Sequence, residues 1–109
     1  MKILIGPIDL EELKVLSNEI DGFYIKVVAD LEKKILAAGA KMHVDEEQIL
    51  LEKGSRKEDL WGGGYDLEIK EVTFDSIINN KPGVNASSEI LDPLIRKRFE
   101  KILKKILNV

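Results

Sequence analysis

The sequence predicts an α+β fold: a small, mostly antiparallel sheet with about three helices packed on it, the last one C-terminal and amphipathic. Three observations carry this expectation. Short runs rich in Val and Ile alternate apolar and polar residues over 25–31, 60–69 and 72–78. Asp9 and Asp45 each open a segment with the side chain of a helix cap, followed three residues later by Glu12 and Gln48. Ile95, Phe99, Ile102 and Ile106 recur at helical spacing to the end of the chain. At 109 residues the chain is a single domain, 1–109, with no linker or repeat.

Taken in order, Lys2 to Ile5 reads as a short strand ended by Gly6-Pro7. The helix opened by Asp9 has Ile8 and Leu13 at the positions of a hydrophobic staple, a buried stripe of Leu13, Leu16 and Ile20, and Gly22 as its stop. Residues 23–40 fit two readings. Ile25, Val27, Ala29 and Leu31 alternate as in a strand, with Glu32-Lys33-Lys34 turning into Ile35 to Ala38. Tyr24, Val28, Leu31, Ile35 and Ala38 also stand at helical spacing. The concentration of Val and Ile favours the hairpin. In the second helix Asp45 and Gln48 form the cap pair, Val44 and Ile49 the staple, and Gly54 the stop. Leu60 to Ile69 and Val72 to Ile78 then read as two strands. A two-residue turn at Lys70-Glu71 would set Tyr65 opposite Ser76, Gly63 opposite Ile78 and Trp61 opposite Asn80. Lys-Glu is a poor sequence for such a turn, and Gly62-Gly63-Gly64 suits a loop, a bulge or backbone facing a ligand. Asp92 starts the last helix, with Pro93 in the favoured first position.

Composition removes several function classes. Seventeen basic against twenty acidic side chains give a net charge of −3, which argues against general nucleic-acid or membrane binding. With no cysteine there is no disulfide, thiolate zinc site or cysteine nucleophile. No segment reads as a secretory signal or a membrane span, so a cytoplasmic protein is expected.

The hairpin register brings two loops together around the only tryptophan, residues 55–59 and 79–88. The candidate binding residues are Ser55, Arg56, Asp59, Trp61, Asn79, Asn80, Lys81, Asn85 and Ser87. Trp61 would supply contact area, Arg56 and Lys81 charge, and Ser55, Asn79 and Asn80 hydrogen-bond direction. The expected function is a small binding or interaction module for an anionic ligand or a protein partner, with no cofactor assigned. One alternative is a metal-dependent hydrolase or nuclease using Asp59, Asp75 and Glu52. Another is a structural homodimer.

Other motifs have plainer explanations. His43-x-Asp45-Glu46-Glu47 holds metal-ligand residue types, but acids at a helix start are accounted for by capping and the helix dipole, so no metal site is assigned. His43 is the only histidine and no serine lies in a nucleophile elbow. Gly54-Ser55-Arg56-Lys57 offers N–H groups and cations to a phosphate but matches no P-loop. The terminal helix bears Arg96, Lys97, Arg98, Lys101, Lys104 and Lys105 without an exposed aromatic residue among them, so nucleic acid is not favoured.

Several of these residues also carry a family resemblance. Glu52-x-Gly54-Ser55-x-x-x-Asp59-Leu60-Trp61-Gly62, Phe74-Asp75-Ser76-x-Ile78-Asn79, Pro82, Asn85-x-Ser87 and Asp92-x-x-Ile95-Arg96 follow one another in a specific order. Upstream, Asp30, Ile35, Gly39 and His43-x-Asp45-Glu46 extend the pattern over most of the chain. The sequence resembles a family of small prokaryotic proteins catalogued as domain of unknown function 5674. The resemblance implies no activity, substrate or cofactor. The chain departs from the pattern at Gly63-Gly64, where an apolar residue and Asn are expected, and at Asn80-Lys81, where an apolar residue and Arg are expected. A site relying on that Asn or Arg would be altered here.

Overall fold

In the computed structural model, which describes residues 1–109, five strands form one antiparallel sheet: β1 (Lys2–Leu4), β2 (Tyr24–Asp30), β3 (Ile35–Ala38), β4 (Leu60–Asp66) and β5 (Glu71–Thr73). Their spatial order is β1-β3-β2-β4-β5, every neighbouring pair antiparallel. Three helices cover it, α1 (Leu10–Ser17), α2 (His43–Glu52) and α3 (Pro93–Leu107). The predicted α+β class and its C-terminal helix are as observed.

The helices lie on both faces, which explains why β2 is buried at nearly every position. Ile25, Val27 and Ala29 point to one face, where they join Leu13 and Leu16 of α1 and Phe99, Leu103 and Ile106 of α3 in a cluster of 16 buried side chains. Val28 points the other way, into a cluster of only 5 that includes Ala37, Leu50 of α2, Leu60 and Ile78. Period-two alternation therefore yields two unequal cores.

Residues 24–38 form the hairpin, with β2 and β3 paired from Val27–Ala38 to Asp30–Ile35. Asp30 shapes its turn by accepting from the N–H groups of Glu32 and Lys33. The caps Asp9 and Asp92 also form as expected, each carboxylate accepting a backbone N–H, from Glu12 and Leu94. Ile20 lies beyond the end of α1 and is exposed rather than part of its buried stripe.

Three local expectations are corrected. Helix α2 begins at His43 with Met42 as its cap residue, so Asp45 sits inside the first turn and caps nothing. The earlier start turns His43 and Glu46, three residues apart, toward the sheet. The β4–β5 connection is a four-residue turn over 67–70, with Lys70 in the left-handed region and Asp66 accepting from Glu68 and Ile69 N–H. Tyr65 consequently pairs with Val72, not Ser76, and Trp61 pairs with no residue of β5. The offset is even, so Tyr65, Leu67, Val72 and Phe74 still share the larger core's face.

The third correction concerns the loop and bulge readings of Gly62-Gly63-Gly64, which run without a bulge through the middle of β4. A Cβ on Gly63 would run into the Thr73 carbonyl and lie 2.8 Å from Cζ of Phe99, and one on Gly62 would lie 2.6 Å from Cβ of Ser76. The Tyr24 ring occupies the space over Gly64. The glycines admit close packing from both faces.

Candidate functional site

Two regions compete for function, and the loops singled out from sequence form the first. They do meet: Lys81 Nζ donates to the carbonyl of Lys57 at 2.9 Å and stands 5.0 Å above the Trp61 ring. Burial holds the Lys81 ammonium below the usual lysine range. Most polar groups in this region, however, have partners within the chain. Ser55 donates to Asp30 Oδ2 at 2.6 Å, tying the end of α2 to the β2–β3 turn. Arg56 pairs with Glu58 two residues away. Trp61 is buried in the larger core.

Asn79 is fully buried and acts as a substitute strand. Its Oδ1 accepts from Gly62 N–H at 2.8 Å, and its Nδ2 donates to the carbonyls of Gly62, Phe74 and Ser88 at 2.9, 3.2 and 3.0 Å. These bonds satisfy β4 at the point where β5 has already left it. Asn85 plays a similar part, donating to the carbonyls of Asn79, Ser87 and Glu89 and accepting from Leu91 N–H. Ser87 Oγ accepts from Glu89 N–H. Asn80 is exposed, while Asp59 closes a short 3₁₀ turn whose carbonyl accepts from Leu31 N–H.

What those asparagines support is the second region. Residues 74–76 pair with 88–90 through Ser76 N–H to Ser88 O and Ile90 N–H to Phe74 O, and this ribbon forms one wall of a groove on the α2 face. The N-terminal turn of α2 forms the other wall. Between them lies a cavity of about 610 Å³ lined by Tyr24, Lys26, His43, Thr73, Asp75, Ser76 and Ser88, with Met42, Val44 and Ile77 as apolar lining. Gly62 and Gly64 lie on this face of β4 beneath Ser76 and the Tyr24 ring, so the walls of the groove seat directly on the strand.

His43 is the centre of the groove. Its Nε2 lies 2.6 Å from the carbonyl oxygen of Gly63, which only accepts, so Nε2 carries the proton. Nδ1 has no partner in the chain and presents a lone pair. Burial, the main cause, and the Lys26 charge hold the imidazole below the usual histidine range, against the opposing pull of Gly63 O and Asp75. The ring is neutral at pH 7. Tyr24 OH shares a 2.6 Å hydrogen bond with Thr73 Oγ1, and burial raises its pKa. Lys26 Nζ donates to Lys41 O at 2.9 Å, beside the start of α2.

Glu46, one turn along α2, is completely buried. Its Oε2 accepts from Ala40 N–H at 3.0 Å, and its Oε1 has no partner. Burial pushes its carboxyl up to about 9, so it is held protonated at neutral pH. No three of the chain's His, Asp and Glu residues are grouped to hold a metal ion, and Asp59, Asp75 and Glu52 form no such cluster. Sequence reasoning notices His43 and Asp75 but not their shared cavity with Tyr24. The signal is the glycine run, which lets Ser76 and the Tyr24 ring pack directly onto β4 beside the cavity.

An antiparallel sheet covered on both faces, with a polar groove between α2 and the 74–76 ribbon, defines a small α+β protein with a preformed cleft. The chain belongs to the family described as Protein of unknown function (DUF5674), whose family model matches residues 2–106. No curated protein and no solved structure matches it. No helix is long and apolar enough to cross a membrane.

Proposed function

We propose that the chain is a small cytoplasmic prokaryotic binding module that seats its ligand in the groove between the start of α2 and the 74–76 ribbon. The ligand offers a hydrogen-bond donor to His43 Nδ1 and lays apolar surface against Met42, Val44 and Ile77. The observation that carries this reading is the tautomer fixed by Gly63 O, which leaves Nδ1 of a cavity-lining imidazole as an acceptor without a partner in the chain. The volume is that of a small-molecule pocket. Met42 and Ile77 support it further, since they are 56 % and 74 % exposed beside the cavity rather than tucked into either core. On this reading Asn79 and Asn85 are positioning residues that hold the 74–76 and 88–90 wall. The loops around Trp61 brace the site instead of forming it.

The test is a screen of small polar ligands followed by ¹H–¹⁵N chemical shifts, run on the wild type, His43→Ala and Asn80→Ala. Ligands should move the amides of 42–44, 62–64 and 73–77. His43→Ala should weaken them at least tenfold, and Asn80→Ala should leave them unchanged. Shifts confined to 55–61 and 79–88, indifferent to His43, would return the site to the tryptophan loops. A hydrolytic reading has one specific support, the presence of Ser76 and Ser88 beside a neutral imidazole in the same groove. It requires turnover that His43→Ala abolishes while ligand binding persists.

A further inference from the structure

We propose a second binding site, for a small amphiphilic anion with one carboxylate or phosphate head and an apolar tail, in the cleft between α3 and the β1–α1 connection. This site is independent of the groove and lies on the opposite face of the sheet. The cleft holds about 460 Å³. Its charged lining is entirely cationic: Lys34 from the β2–β3 turn and Arg98, Lys101 and Lys105 from α3, with no acid. Positions 98, 101 and 105 recur at helical spacing, so a single face of α3 presents all three.

That concentration runs against the chain's net charge of −3. It is also uncompensated. The ion pairs of the structure are Lys2–Glu12, Arg56–Glu58, Arg96–Glu89 and Lys104–Glu100, and none involves the four cleft cations. Arg98 donates one Nη2 bond to Leu31 O at 3.3 Å, which fixes its guanidinium against the turn and leaves its other N–H groups available. Four unpaired cations in a concave site raise the local concentration of anions, and the Arg98 guanidinium offers the fork geometry that carboxylate and phosphate accept.

The second half of the argument is apolar. Leu31 and Ile106 are nearly inaccessible and floor the cleft, while Ile102 is half-buried in it. Ile5 lies at its edge with 81 % of its surface exposed, next to Gly6 and Pro7. A simple anion would leave this surface wet, and an uncharged apolar ligand would leave the cations unpaired. A molecule carrying both an acidic head and a short tail matches the two linings at once, with the lysine stems adding apolar wall.

Titration with octanoate and octyl phosphate below their micellar range, read by ¹H–¹⁵N shifts, tests this. Saturable shifts are expected at the amides of 5–7, 31–34 and 98–106, with octyl phosphate binding at least tenfold more tightly than inorganic phosphate or octanol. Lys101→Glu should weaken octyl phosphate at least tenfold, and Ile5→Ser should weaken it several-fold while sparing inorganic phosphate. Lys53→Glu, the same charge change at the end of α2, should have no effect. Equal response to inorganic phosphate would overturn the amphiphile assignment. So would binding that appears only on anionic vesicles and never with the monomeric probes, which would mark a membrane surface. Indifference to Lys101→Glu in a variant whose spectrum remains folded would overturn the site itself.

Discussion

The two faces of the sheet are built to opposite rules. Against α1 and α3, sixteen buried side chains interlock, and Phe99 packs onto Gly63 so closely that a single added carbon has no room. Against α2, the apolar cluster has five members, and burial is shared with His43, Glu46, Asp30, Ser55 and Asn79. Polar burial of this kind costs stability unless every group finds a partner, and Glu46 Oε1 does not. One face therefore holds the fold together, while the other accepts a penalty to keep a shaped polar groove.

Substitutions sharpen that contrast in descending order of effect. Phe99→Ala should be the most damaging, at about 3–5 kcal/mol by chemical denaturation, because it opens a void over Gly63 in the larger core. Asn79→Ala should cost about 2–3 kcal/mol, since it leaves several buried backbone groups without partners. It should also loosen the 74–76 wall, seen as faster hydrogen exchange at Ser76 and Ile90 than anywhere in α1.

Glu46→Gln should act in the other direction. Glu46 titrates from the ordinary carboxylate range when unfolded and near 9 when folded. Across that window the folded chain holds a proton that the unfolded chain releases, so the stability contribution is present at low pH and lost as pH rises. The glutamine variant should be more stable than the wild type at pH 8 by at least about 1.4 kcal/mol, which corresponds to about tenfold in the folding equilibrium. The advantage should shrink toward pH 4. His43 has the opposite slope: its folded pKa is lowered, so its contribution is complete above about 6.5 and lost as pH falls. Arg56→Ala should be the smallest change, leaving the denaturation midpoint unmoved, because Arg56 is exposed and pairs only with exposed Glu58.

What is legible in the sequence follows the same division. Local chemistry reveals Asp9 and Asp92 as caps, and alternation assigns Ile25, Val27 and Ala29 to one face, because each signal acts within a few residues. The α2 start is misplaced because Asp45 resembles a cap, whereas tertiary burial of His43 and Glu46 draws the cap three residues earlier, to Met42. The turn at 67–70 escapes notice because its stabilising bonds come from Asp66, outside the expected Lys70-Glu71 pair. Period-two alternation cannot detect an even offset, so the faces survive the wrong register. The role of Gly62-Gly63-Gly64 depends on Phe99, Ser76 and Tyr24, and no local pattern encodes those neighbours. The sequence marks Asn79 as a candidate binding residue, whereas its bonds to Gly62, Phe74 and Ser88 within the chain are visible only once β5 ends early.

The most direct test of the groove is a pH titration of the single histidine by long-range ¹H–¹⁵N correlation. The structure predicts a neutral ring at pH 7 protonated on Nε2, with a pKa below 6.5. A ring protonated on Nδ1, or a pKa at or above 6.5, would contradict the lone pair on which the proposed binding site depends.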